Sequence, residues 1–308
     1  MVAEKRYTEA YMINWYSNVF PGILGRTCDR PCEPACRRTR VEDKPVAICR
    51  LKRVAADHRG DIEHLMPEVA PRNGKRVALV GAGPASLTVA RDLTPLGYDC
   101  VLIEKDPYGG GLMRSNIPSF RLPAQVLDDE VGRIIGLGVA TRFGERVNSL
   151  KALLDESFDA VFIGTGAPRG KDLEIPGRSD AGTHLQLGID FLTSVAFRHL
   201  DSIGKRVVVI GGGNTAMDCC RTALRLGAEE VTVTVRSPRA DMKASEWEIE
   251  DAEREGIPIL DNHSPKEIVV EDGRVKAVVF ERMRAVYAHD GSRRLEPTGE
   301  DPVVIECD

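Results

Sequence analysis

Four cysteines, Cys28, Cys32, Cys36 and Cys49, fall within 22 residues in the spacing C-x3-C-x3-C-x12-C, while Cys100, Cys219, Cys220 and Cys307 are scattered. Grouped thiols point to metal or cluster ligation, because reducing compartments keep ordinary cysteines from pairing. Pro31 and Pro34 exclude a regular helix through Cys32, so the loop must curl, which is what gathering sulfurs around one centre demands. Four thiolates suit a single [4Fe-4S] cluster, and zinc takes the same set. A redox neighbour gives an iron-sulfur centre something to do and zinc nothing. The radical-generating C-x3-C-x2-C spacing is not matched. Around this segment Arg37, Arg38, Arg40, Lys44, Arg50, Lys52 and Arg53 form a basic belt. The belt reads as a solvated face that compensates an anionic cluster, or as a dock for an acidic partner. Adjacent residues on a helix project about 100° apart, so Cys219 and Cys220 are expected as small buried residues rather than a disulfide. The six histidines show no metal spacing.

Two glycine-rich turns carry the second chemistry. In Gly81-Ala82-Gly83-Pro84-Ala85-Ser86, Gly81 permits a tight turn and Gly83 lets the backbone approach a pyrophosphate. The following helix N-terminus offers free amides and a positive dipole end. Glu104, 23 residues after Gly81, would accept from a ribose hydroxyl. The second turn is Gly211-Gly212-Gly213-Asn214-Thr215-Ala216, and its following strand ends in Val235-Arg236, with Arg239 and Lys243 beyond. A cation at that place accommodates the 2′-phosphate of NADP, where an acid would select NAD; the alternative is three cations that solvate a loop. Between the turns, Asp159 to Ile163 is an apolar strand running into Gly164-Thr165-Gly166. Two dinucleotide sites suggest one flavin and one nicotinamide.

The elements that must position these residues follow from the apolar pattern. Arg76–Val80, a helix from Pro84 to about Leu93, and Tyr98–Glu104 read as β-α-β, and Lys205–Ile210, a helix from about Thr215 to Leu226, and Glu230–Val235 repeat it. Continuous apolar strands indicate parallel sheets covered on both faces. A helix is expected over Leu51–Asp57, and a Pro- and Gly-bearing linker over Pro67–Gly74. Residues 256–308 read as short strands with turns at Glu271–Gly273 and His289–Gly291. The expected organisation is a helical [4Fe-4S] domain at 1–72, an FAD domain at 73–170, an NAD(P)H domain at 171–294, and a return towards the FAD domain at 295–308. Apolar content of 42% and charged content of 29% describe a globular protein. No apolar run approaches the roughly 20 residues of a membrane span, and the N-terminus lacks a signal-peptide core. With 42 basic and 47 acidic residues, a net charge of −5 offers no overall attraction to nucleic acid. A cytoplasmic location is expected.

The chain resembles the glutamate synthase small-subunit family, which includes the N-terminal half of dihydropyrimidine dehydrogenase. The resemblance rests on Phe20–Cys28, Cys32-Glu-Pro-Ala-Cys36, Glu68–Pro71, Gly81–Ser86, Glu104-Lys105 to Gly110-Gly111-Leu112, Ile117–Pro123 and Gly211–Asp218. It implies an α/β protein in which two Rossmann-like dinucleotide-binding domains follow a helical iron-sulfur domain, with electrons passing between nicotinamide, FAD and cluster. By matching position, the FAD contacts would be Gly81 to Ala85, Glu104 to Leu112, Arg121 and Val147, with Thr165 and Gly166 beside them. The nicotinamide contacts would be Gly212, Gly213, Asn214, Thr215, Arg236 and Lys243. No catalytic side chain is identified, since the chemistry belongs to the cofactors. Three departures stand out: the family's upstream cysteine run is missing, so one cluster is inferred; Ser237 replaces the second arginine of a common pair; and the family continues past Asp308 through a strand and a Gly-Asp motif that complete the FAD site. The implied function is an NAD(P)H-dependent electron-transfer subunit serving a partner redox enzyme, either a glutamate synthase large subunit or a molybdenum or tungsten oxidoreductase. An assembly scaffold and a free-standing NAD(P)H oxidoreductase are the alternatives.

Overall fold

A computed structural model describes residues 1–288 and 292–308. The chain divides into two compact units, Met1–Pro168 and Arg169–Asp308. In the first, helices α1 (Tyr7–Asn18), α2 (Pro21–Thr27) and α3 (Ile48–His58) precede β1 (Arg76–Val80), α4 (Pro84–Leu93) and β2 (Asp99–Glu104). Then come α5 (Leu112–Ser115), α6 (Ala124–Gly136), β3 (Ala140–Phe143), α7 (Leu150–Leu154) and β4 (Ala160–Ile163). The four strands form a parallel sheet in the order β3-β2-β1-β4. β1 and β2 are central and buried along nearly their whole length, which is why they read as unbroken apolar runs.

Before the expected boundary near residue 72, Tyr11, Trp15, Ala55 and Ile62 form an apolar cluster of their own, and the α1–α2 corner joins a second one. Val19, Phe20 and Ile23, from the α1–α2 corner, lie in the same apolar cluster as Leu79, Leu87 and Leu102 of the α/β part. Two buried charges fasten that corner. The Arg91 guanidinium, on α4, donates through Nη1 to the carbonyls of Trp15 (3.1 Å) and Tyr16 (3.3 Å), in the last turn of α1. The Glu130 carboxylate, on α6, accepts from Gly22 N (2.7 Å) and Ile23 N (3.0 Å) in the first turn of α2, and from the Tyr11 hydroxyl (3.1 Å). A cation thus faces a helix C-terminus and an anion a helix N-terminus, the favourable sense of each dipole. Between them Val19 holds φ +61°, a costly conformation for a β-branched residue that surrounding contacts must enforce.

The second unit comprises α8 (Gly188–Ala196), β5 (Arg206–Ile210), α9 (Asn214–Arg225), β6 (Glu230–Thr234), α10 (Glu246–Arg254) and β7 (Ile259–Leu260), with a parallel sheet ordered β5-β6-β7. An antiparallel layer follows, in which β9 (Arg274–Tyr287) pairs with β8 (His263–Glu271), β10 (Arg293–Pro297) and β11 (Val303–Glu306). The expected turn at Glu271–Gly273 is the β8–β9 hairpin, with Asp272 and Gly273 at positive φ. The turn expected at His289–Gly291 lies outside the described residues. In residues 303–308, Val303 and Ile305 pack on the cluster of Val278 and Phe280, and Asp308 N donates to Arg206 O.

Glu130→Ala would orphan two buried amides, so a loss of about 2 to 4 kcal/mol of stability is expected in chemical denaturation. Burial holds the Glu130 carboxyl above its usual value, against the pull of the Ile23 and Gly22 amides. A raised folded pKa contributes most stability below the ordinary carboxylate range and loses it as pH rises. The stability of wild type relative to Glu130→Gln should therefore decline from about pH 4 upward; a constant difference would contradict that environment.

Candidate functional site

The first glycine turn lies at the C-terminal end of β1, whose neighbours β2 and β4 flank it on opposite sides, the place where an open parallel sheet leaves a binding crevice. Gly81 adopts φ +90°, and a Cβ there would stand 2.6 Å from Gly164 O, so glycine is what lets the turns after β1 and β4 meet. Gly111, at φ +53°, similarly abuts Gly83: a Cβ on Gly111 would lie 2.8 Å from Gly83 Cα. The Cβ direction of Gly83 itself is open, its nearest atom 4.0 Å away, and Gly83 caps α4, whose first-turn amides have no intrahelical acceptor. This open cradle fits a dinucleotide pyrophosphate. Glu104 is buried and braces the cradle, accepting from Ala82 N (2.8 Å) and Asp106 N (3.0 Å), while Gly110 N donates to Ala82 O (2.8 Å). A carboxylate offers about four acceptor sites, so a ribose hydroxyl can still be received. Lys105 pairs with Asp106, Leu112 opens α5 partly exposed, and Thr165 and Gly166 are exposed just beyond β4. Val147 packs on the cluster of Val80 and Ile103; Arg121 is half-buried with its amide on Pro118 O.

The second turn repeats the arrangement between β5 and α9. A Cβ on Gly212 would come within 2.7 Å of Val235 Cγ1, whereas Gly213, the cap of α9, has open space beside it. The stretch beyond β6 is stitched onto this turn: Gly212 O accepts from Lys243 N and Ala244 N (both 2.9 Å), and Asn214 Oδ1 accepts from Ser245 N (2.8 Å). Those bonds, invisible in the sequence, bring Lys243 to the loop. Arg236 and Lys243 are exposed without an ion-pair partner among the described residues, whereas Arg239 is engaged by Glu253 and Glu246. Two of the three cations are thus available to a 2′-phosphate. Thr215 is exposed at the start of α9, and a cavity of about 670 Å³ beside β5 reaches Gly211, Gly213 and Thr215. Cys219 and Cys220 are buried; burial pushes the Cys220 thiol up to about 12 and the Cys219 thiol higher, so neither serves as a thiolate at neutral pH.

Cys28 caps the end of α2, residues 29–36 run through turns, Arg37–Arg40 form one 3-10 turn, and Cys49 lies in the first turn of α3. A Cβ on Gly25 would meet Arg53 N and Cα at 2.8 Å, so α2 and α3 cross in backbone contact just beside the cysteines. The buried Cys49 sulfur lies 3.3 Å from Leu24 O, its amide donates to Glu33 Oε1 (3.0 Å), and Arg30 N donates to the Cys28 sulfur (3.3 Å). Burial raises the Cys49 thiol against the fields of Arg30 and Lys52, while backbone hydrogen bonds from Val46 and Arg38 hold the Cys36 thiol down. All four cysteines are free thiols, Cys32 exposed and Cys28 and Cys36 half-buried. Among the described residues no three Cys, His, Asp or Glu side chains converge as metal ligands. The chemistry of the donor set, four free thiols with cations and amides beside them, suits a four-thiolate centre.

Two parallel dinucleotide-binding sheets behind a cysteine-bearing helical segment define a nicotinamide- and flavin-linked oxidoreductase with an iron-sulfur segment. The chain belongs to the pyridine nucleotide-disulphide oxidoreductase family, whose model matches residues 75–290. Residues 1–63 match dihydropyrimidine dehydrogenase domain II, 4Fe-4S cluster. The cofactors these matches carry are FAD and NAD(P)H on the α/β part and a [4Fe-4S] cluster on the helical part. The chain is 39% identical to the NADPH-Fe(3+) oxidoreductase subunit beta of Geobacter sulfurreducens and 35% identical to the NADP(+)-dependent formate dehydrogenase subunit beta of Moorella thermoacetica, each match covering 100% of this chain and 47% of the relative. The glutamate synthase [NADPH] small chain of Azospirillum brasilense is 33% identical over 99% of this chain and 65% of its own length, in line with the resemblance read from the motifs. The chain thus spans about half the length of the first two relatives (47%). Among the described residues no helix is long and apolar enough to cross a membrane.

Sequence reasoning undervalued Gly164, whose carbonyl meets Gly81, and missed Glu33, which braces Cys49. The glycine flanking Thr165 was the available signal for the first; nothing local marks the second. Gly83→Val fills open space rather than striking backbone, so the fold should survive while the pyrophosphate is blocked. The variant is expected to purify folded and without flavin; full flavin content would show that this turn is not the cradle.

Proposed function

We propose that the chain moves electrons between NAD(P)H and a partner oxidoreductase, using FAD at Gly81–Ala85 and Glu104, a nicotinamide at Gly212–Thr215, and a cluster held by Cys28, Cys32, Cys36 and Cys49. The observation that carries the reading is the pair of open glycine cradles, each at the end of a central or edge parallel strand and each capping a helix, with a free-thiol loop in the same unit as the first. Bound FAD would exchange hydride with the nicotinamide and single electrons with the cluster. The chain's own residues bind and orient: α4 and α9 present amides to pyrophosphates, Glu104 receives a ribose hydroxyl, and Arg236 with Lys243 receives a 2′-phosphate. Arg121, Val147, Thr165 and Gly166 would line the flavin, with Lys105 and Gly110–Leu112 closing over it. A cytoplasmic electron-transfer subunit of a larger redox enzyme follows, its partner a formate dehydrogenase-like molybdenum or tungsten enzyme or a glutamate synthase-like one, in keeping with the relatives it resembles.

The purified holoprotein should show flavin absorption, with about four iron and four sulfide per chain. Cys32→Ser should lose the iron and destabilise the loop around it. Stoichiometric zinc without sulfide would overturn the cluster. For the nicotinamide, one charge-assisted pair is worth about 1.5 to 3 kcal/mol, roughly 10 to 150-fold in affinity. With Ser237 in place of a second arginine, a moderate NADP(H) preference is expected. Dissociation constants for both nucleotides in Arg236→Ala should show that preference reduced; an unchanged ratio would remove Arg236 as the phosphate reader.

A further inference from the structure

From Arg37 to Arg53 the chain carries seven cations and two carboxylates, a local charge of +5 in a protein whose total is −5. The pairing within this stretch is uneven. Arg38 is engaged by Glu42 and Arg53 by Asp57 (3.5 Å), and Lys52 is buried. Arg37, Arg40, Lys44 and Arg50 are exposed and have no ion-pair partner among the described residues. Elsewhere in the same unit arginines commonly pair, as Arg72 does with Asp99, Arg114 with Asp128 and Arg142 with Glu156. Unneutralised positive charge is therefore concentrated at the rim of the cysteine loop.

Within and beside the loop, Lys52 is buried and Arg30 is half-buried. Arg37, Arg40, Lys44 and Arg50 instead face water, as do Cys32 and Val41, the latter 88% exposed. An exposed apolar side chain flanked in sequence by unpaired cations is the composition of a transient electrostatic dock: opposite charge steers the encounter, and a small apolar contact seats it.

We propose that Arg37, Arg40, Lys44 and Arg50, around Val41, form the docking surface for an acidic redox protein that exchanges electrons with the cysteine-loop centre. The proposal rests on the electron-transfer reading above and specifies its partner's surface as anionic. The dock adjoins the cysteine loop in sequence, and Cys32 of that loop is itself exposed.

The test uses the full-length holoprotein, an acidic ferredoxin as probe, and a small neutral quinone as the uncharged acceptor. In wild type, NADPH-driven reduction of the ferredoxin should slow by about tenfold as ionic strength rises from 0.01 to 0.15 M, while quinone reduction stays constant. Arg37→Gln/Arg40→Gln/Arg50→Gln should keep its iron, sulfide, flavin and quinone rate, yet lose the low-salt ferredoxin rate and its salt dependence. A variant that retains the wild-type salt slope would overturn the dock. So would loss of iron in that variant, which would assign the belt to cluster compensation, or salt-sensitive binding of duplex DNA in preference to the ferredoxin. Failure of NADPH to reduce even the quinone in wild type would instead overturn the underlying electron-transfer reading.

Discussion

A buried carboxylate holds the first unit together. Glu130 leaves α6 and ends on the first amides of α2, so the helical segment is fixed to the α/β part that carries the first glycine cradle. Arg91 does the complementary task one helix earlier, and it sits on α4, the helix whose N-terminus Gly83 caps. One rigid helix therefore offers a flavin cradle at its start and grips the helical segment near its end. Since α2 runs directly into Cys28, the cysteine loop inherits its position from these two contacts. Buried charges are expensive unless fully satisfied, and here three donors meet Glu130 while two helix carbonyls meet Arg91.

The glycines act by a related constraint, close approach. Gly81 against Gly164, Gly111 against Gly83, Gly212 against Val235 and Gly25 against Arg53 each bring together elements that any side chain would force apart. The first three shape cradles at strand ends, where helix amides meet an incoming phosphate. The fourth sets α2 on α3 and thereby sets Cys28 relative to Cys49, which lie at the end of one helix and the start of the other.

The strands and their cradles were legible because burial on both faces writes them as continuous apolar runs: Arg76–Val80 and the helix Pro84–Leu93 appear in the structure with those bounds. The helix expected over Leu51–Asp57 begins earlier, at Ile48, and so takes Cys49 into its first turn. What stayed hidden depends on long-range pairing. Nothing near Phe20 or Ile23 announces that they share a core with Leu102. Nothing near Lys243 announces its bond to Gly212. A short apolar strand such as Val303–Glu306 does not reveal which edge it joins, and it pairs with β9. The cysteine spacing named a donor set, and the structure supplies its supports, Arg30, Glu33 and Lys52, around thiols that are not drawn together.

The proposed function has electrons from the nicotinamide pass through a flavin at the first cradle to a cluster in the cysteine loop of the same unit. Rapid freeze-quench electron paramagnetic resonance of the anaerobic holoprotein mixed with NADPH tests this directly, with flavin bleaching followed in parallel. The account predicts that flavin absorption falls first and then partly recovers as the signal of a reduced [4Fe-4S] cluster rises, with neither change in flavin-free Gly83→Val. A cluster signal that develops in that variant at the wild-type rate, or flavin reduction that never reaches the cluster, would contradict it.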